Sequence, residues 1–133
     1  MQCLIVDDNA QFLRAARDLL EREEITVVGV ASTVDDALLR FRELRPDVTL
    51  VDISLGGECG FELARRLLEE GRAERPAVIL ISTYAEKDFS EMIATSPAVA
   101  FLPKSGLSGS AIRGVLRAAG EEPGAGASAP RGR

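Results

Sequence analysis

The sequence predicts an α/β fold, a five-stranded parallel sheet with helices on both faces, and three observations carry that expectation. Five short apolar runs, at residues 4–6, 25–30, 48–51, 78–81 and 98–102, are rich in branched or aromatic side chains, as in strands buried on both faces. Stretches with apolar residues at helical spacing alternate with them. Cap and turn residues fall at the joints.

Each element has its own justification. The first strand runs into Asp7 and Asp8, and Phe12, Ala16, Leu19 and Leu20 then share one helical face. After the second strand, Ser32 or Thr33 can cap a helix whose inward face is Val34, Ala37, Leu38 and Phe41. Asp35 and Asp36 in its first turn suit the positive end of the helix dipole, and Pro46 stops it. The third strand ends at Asp52; Gly56, Gly57 and Cys59 make a loop, and Leu63, Leu67 and Leu68 mark a third helix. Pro76 precedes the fourth strand, which ends at Ser82 and Thr83. A weaker, shorter helix is expected over 86–94. The fifth strand meets Pro103 and Lys104, a proline that fits a sheet edge, and Ile112, Val115 and Leu116 mark the last helix, closed by Gly120. Residues 1–119 form the expected domain. Residues 120–133, rich in Gly, Ala and Pro, are expected to be a disordered tail or linker.

Composition narrows the function. The chain has 133 residues, 46% hydrophobic and 28% charged, enough for one domain with its own core. No apolar run approaches the roughly 18 residues of a membrane span, and the N-terminus lacks a signal-peptide layout, so a cytoplasmic protein without membrane contact is expected. A net charge of −5 argues against direct nucleic-acid binding by this segment. With no histidine, triad chemistry is excluded and zinc is disfavoured. Cys3 reads as a small core residue and Cys59 as a loop residue with a minor redox alternative. Only two of the 16 basic residues, Lys87 and Lys104, are lysines.

The chemistry gathers where ligands bind in such sheets, beyond the carboxyl ends of the strands. Asp7 and Asp8, Asp52, Ser82 with Thr83, and Lys104 all fall there. Three clustered carboxylates call for a hard divalent cation with oxygen ligands, for which Mg²⁺ is suited. Lysine is a movable point charge for a phosphoryl oxygen, and a carboxylate can be the nucleophile of phosphoryl transfer. Singly, each residue has a plainer reading: Asp8 as a helix cap, Asp52 as a turn residue, Ser82 and Thr83 as turn hydroxyls, Lys104 as a solvated cation. Their coincidence at four strand ends is what those readings explain poorly.

The pieces "LIVDDN", "PDVTLVDISLGGECGFEL", "VILIST" and "AFLPKSGL", in this order and spacing, resemble the response-regulator receiver domain of two-component signalling, over nearly the whole folded chain. The resemblance implies a flavodoxin-like strand order 2-1-3-4-5, that of the chemotaxis receiver. It implies that Asp52 accepts a phosphoryl group from a sensor histidine kinase. Mg²⁺ would be held by Asp7, Asp8, Asp52 and the backbone carbonyl of Ser54, and the phosphoryl oxygens would be met by Ser82 and Lys104. Ser82 and Phe101 would form a switch that alters the face built from the fourth helix, fifth strand and fifth helix. Output would pass to a downstream protein or a fused domain absent from this chain, with homodimerisation on phosphorylation as a further implication. The chain would be a phosphoacceptor, not a turnover enzyme.

The sequence also departs from the family. Gly56 stands where proline is frequent, so a looser loop is expected; Ser105 replaces the proline that often follows the lysine; Ser54 and Tyr84 hold positions that tune loss of the phosphoryl group. A degenerate receiver that binds partners without phosphorylation is the alternative. An aspartate phosphohydrolase fits less well, since Ser54 stands where such enzymes carry a second acid.

Overall fold

Alternation along five strands builds the molecule. In the computed structural model, which describes residues 1–71, 76–83, 98 and 100–118, the strands β1 (Gln2–Val6), β2 (Thr26–Ala31), β3 (Val48–Asp52), β6 (Ala77–Ser82) and β7 (Ala100–Pro103) pair in parallel. Their order is β2-β1-β3-β6-β7. Setting aside a small separate hairpin, β4 (Ser54–Leu55) and β5 (Glu58–Cys59), this is the expected order 2-1-3-4-5. Pro103 ends the edge strand β7, where its missing N–H costs no ladder bond.

Successive side chains on a strand point to opposite faces, so the sheet organises two cores. Cys3, Ile5, Leu50, Ile79 and Ile81 pack with Ala16 and Leu20 of α1 (Ala10–Arg22) and with Ile112 and Leu116 of the C-terminal helix (Gly109–Ala118). Leu4, Val6, Val51, Val78 and Leu80 face the opposite way. They pack with Ala37, Leu38 and Phe41 of α2 (Val34–Leu44) and with Leu63, Ala64 and Leu67 of α3 (Gly60–Glu70). Each fully buried Leu or Ile contributes about 1.5–3 kcal/mol of transfer free energy. The five strands of the sheet are thus held from both sides.

The caps settle choices the sequence left open. Thr33, not Ser32, caps α2 by accepting the Asp36 N–H at 3.1 Å. Asn9 caps α1, its Oδ1 accepting the Phe12 N–H at 3.1 Å, so the capping role open to Asp8 is filled by its neighbour and Asp8 is left exposed. The loop after β3 is a two-residue hairpin turn. Gly56 (φ 53°) and Gly57 (φ 94°) both take the left-handed region that such turns demand. Cys59 accordingly lies in β5 at the start of α3 rather than in an open loop, and is exposed. Glu58 Oε1 accepts the Val34 N–H at 3.0 Å and ties this hairpin to the N-terminus of α2. The helix expected over 86–94, Tyr84, Gly120 and the expected tail over 120–133 lie outside the described residues.

Candidate functional site

Strand geometry delivers three of the predicted polar residues to one rim. Asp7 follows β1, its N–H still donating to the Ala31 carbonyl at 2.9 Å, and is fully buried. Asp52 and Ser82 are the last residues of β3 and β6 and are buried as well. Lys104 opens a short 3₁₀ turn (Lys104–Gly106) directly after the edge strand. Its side chain is only 15% exposed, which places the ammonium inside the cluster.

The carboxylates divide their oxygens between backbone and cation. Asp7 Oδ1 accepts the Asn9 N–H at 2.9 Å, while Oδ2 meets Lys104 Nζ at 2.6 Å in an ion pair outside aligned hydrogen-bond geometry. Asp52 Oδ1 accepts the Ser54 N–H at 3.2 Å, and Oδ2 accepts from Lys104 Nζ at 3.4 Å. One oxygen of each of Asp7, Asp8 and Asp52 lies within 4.8 Å of the others. Among the described residues, Lys104 is the ammonium paired with two of these three carboxylates, Asp7 and Asp52.

The electrostatics follow from this count. Burial pushes the Asp52 carboxyl above the ordinary carboxylate range; the Ser54 N–H opposes it, the Asp7 charge adds to it, and Lys104 pulls it down. For Lys104, burial works against the ammonium, but Asp7 and Asp52 outweigh it and raise its pKa. Asp7 and Asp8 have no basic residue next to them in sequence, and the ammonium that reaches the cluster comes from Lys104, just after the edge strand.

The acid cluster fits a divalent cation on observations of its own. Asp7 Oδ2 is buried with no aligned hydrogen bond. Three hard oxygens from separate carboxylates converge, and Mg²⁺ takes few protein ligands and keeps its waters. Asp8, the exposed member of the three, leaves the cluster open to solvent on its side. Gly56 leaves that side open, since a Cβ there would stand 3.0 Å from Asp8 Oδ2.

Phe101 lies on β7 opposite Leu80, half-buried against the core that faces α2 and α3. Ser54 begins the hairpin with its N–H on Asp52. Two further residues shape the site without having been singled out for it. Gly60 lets α3 start against β3: its N–H donates to the Ile53 carbonyl at 2.8 Å, and a Cβ would overlap the Asp52 carbonyl oxygen. Phe12, legible in sequence only as part of an apolar helical face, presents its ring 4.5 Å from Lys104 Nζ. Its position in the first turn of a helix that starts at the acid pair was the available signal.

Comparison with known proteins shows the family and the fold. The family model described as response regulator receiver domain matches residues 3–112. The "Uncharacterized transcriptional regulatory protein YvfU" of Bacillus subtilis is 31% identical over 107 residues, covering 80% of this chain and 52% of that protein. The chain thus spans about half the length, or less, of the first curated relatives it matches. Among solved structures, the receiver domain of the putative response regulator NarL from Mycobacterium tuberculosis superposes with a TM-score of 0.71 at 26% identity, covering 89% of this chain and 94% of that one. A LuxR-family two-component response regulator from Aurantimonas sp. gives a TM-score of 0.76 at 22% identity, covering 89% of this chain and 84% of that one, a likeness of fold. The chain belongs to the response regulator receiver domain family of two-component signalling.

Proposed function

We propose that Asp52 is the phosphoacceptor of this receiver, taking a phosphoryl group from a phosphohistidine of a sensor histidine kinase in the cytoplasm. The observation that carries this reading is a buried Asp52 carboxylate sharing one ammonium with the buried Asp7. An Asp52 oxygen attacks phosphorus as the P–N bond breaks, and the bonding pair returns to the imidazole. Lys104, on its flexible stem, leaves the carboxylates for a phosphoryl oxygen, and the Ser82 hydroxyl donates to another. Mg²⁺ held by Asp7, Asp8, Asp52 and the Ser54 carbonyl would neutralise charge building on the phosphoryl oxygens. The domain stores the group rather than turning over a substrate.

The half-buried Phe101 supports the switch part of the reading, since a ring neither locked in the core nor fully free can change sides when Ser82 moves. Output then runs through the face that includes β7 and the C-terminal helix, to a partner protein, a fused output domain or a second copy of the chain. The name of one relative, the transcriptional regulatory protein YvfU, supports a regulator of transcription as the whole assembly.

The test is the intact mass of the chain after incubation with Mg²⁺ and phosphoramidate, beside an Asp52→Ala variant. Gain of one phosphoryl group by the parent alone supports the proposal. No gain with the fold intact, and no beryllofluoride binding, would favour a receiver that works without phosphorylation.

A further inference from the structure

The Lys104 ammonium has a third neighbour besides its two carboxylates. The Phe12 ring centroid lies 4.5 Å from Nζ, on a side chain that is 15% exposed. A cation within about 6 Å of an aromatic face is attracted by the ring quadrupole, more strongly when it is shielded from water. Phe12 is also tied to Asp7 through Asn9. Asp7 Oδ1 takes the Asn9 N–H, and Asn9 Oδ1 takes the Phe12 N–H, so the turn that positions Asp7 positions the ring. The ring then packs on the core that includes Ala16 and Ile5.

We propose that Phe12 is a positioning residue for Lys104, its ring face holding the ammonium at the site while the lysine changes partners. The inference rests on the proposed phosphoacceptor reading. In the structure Lys104 is committed to Asp7 and, at longer range, to Asp52. A divalent cation held by the same carboxylates would weaken that hold by like-charge repulsion, and a four-carbon stem could then swing to solvent. A cation–π contact has little directional demand, so the ring face accommodates the ammonium both on Asp7 and on a phosphoryl oxygen. Leucine at this position would fill the core but offer no such face.

Two readouts test this separately. With only two lysines in the chain, ¹³C-lysine labelling gives two ε-methylene signals, and Lys87→Arg identifies them. The Lys104 signal is expected upfield in the parent through the ring current, at its ordinary position in Phe12→Leu, and upfield again in Phe12→Trp. Phosphorylation by phosphoramidate is expected to slow by about 2- to 30-fold in Phe12→Leu, the range a cation–π contact supports, and to recover in Phe12→Trp. A ring-fluorinated phenylalanine, which keeps the shape and weakens the face, should slow the reaction as leucine does. A parent signal without ring-current shift overturns the proposal, as do equal rates in the parent and Phe12→Leu. A parent that takes no phosphoryl group while keeping the shifted signal overturns the phosphoacceptor reading, and with it the role in transfer.

Discussion

Lys104 Nζ stands 2.6 Å from Asp7 Oδ2, a residue from the far edge of the sheet resting on a carboxylate that has no exposed surface. A buried carboxylate that loses its cation keeps the cost of desolvation without compensation, about 3–5 kcal/mol for a fully buried pair. Because the lysine retains some solvent contact, Lys104→Met is expected to cost about 2–4 kcal/mol in chelator. Added Mg²⁺ should restore more stability to the variant than it adds to the parent, since it supplies the missing charge. Urea unfolding in EDTA and in Mg²⁺ measures both, and equal stability of the two proteins in EDTA would remove the pair from the account.

Asp52 works in the opposite sense. Its folded-state pKa is raised, first by burial, so its contribution to stability is present below the ordinary carboxylate range and lost as pH rises through the raised value. Ionised Asp52 therefore weakens the metal-free fold at neutral pH. Asp52→Asn should melt higher than the parent at pH 7 in EDTA, and the difference should vanish in acid, where both side chains are neutral. A variant that melts lower at pH 7 would show that lost contacts outweigh the relieved charge.

The hairpin after β3 makes a prediction against family habit. Proline at position 56 would force φ to about −65°, against the observed 53°, so Gly56→Pro should destabilise instead of stiffening the loop. Gly56→Ala should cost about 1–2 kcal/mol for its left-handed backbone. Gly60→Ala should cost more than either, about 3 kcal/mol or above, because a Cβ would also come within 2.8 Å of the Asp52 carbonyl carbon and Ile53 Cα. Denaturant midpoints rank the three, and a different order would mean the turn relaxes more easily than α3 can shift.

The two cysteines should separate cleanly. Burial pushes the Cys3 thiol from 9.0 up to about 12, while Cys59 is exposed. Iodoacetamide at pH 8 should add one group to the native chain, on Cys59, and two after unfolding, as read by mass. The raised Cys3 value also implies that stability falls as pH climbs from 9.0 towards about 12, where the unfolded thiol ionises and the folded one does not. Cys3→Ala should lose that part of the alkaline slope.

Much of this was legible beforehand because the sheet is buried on both faces. Runs such as Leu4 to Val6 and Val78 to Ile81 leave no polar face to confuse, and the first polar residue after each run marks the site. Other features depended on choices local sequence cannot make. Asp8 and Asn9 are both good caps, and the Asp7 Oδ1 bond to the Asn9 N–H accompanies the choice of Asn9. The "LGGE" turn reads as a loose loop until two positive φ angles close it. Phe12 and Lys104 are brought together by the fold across nearly the whole chain, so local sequence places Phe12 near the acid pair but does not pair it with the lysine.

The complete burial of β3 on both faces has a further consequence, for folding itself. When both faces of a strand are buried and, Thr49 aside, its interior is apolar, a slip of one residue exchanges one greasy surface for another, and alternation alone enforces register weakly. The strand is bracketed instead by exposed Asp47, whose Oδ2 accepts the Gln2 N–H at 2.7 Å, and by Asp52. Sliding either way would drag a carboxylate into the dry middle of the sheet. The acid that would receive the phosphoryl group thus also acts as an end stop, telling the strand where it must halt.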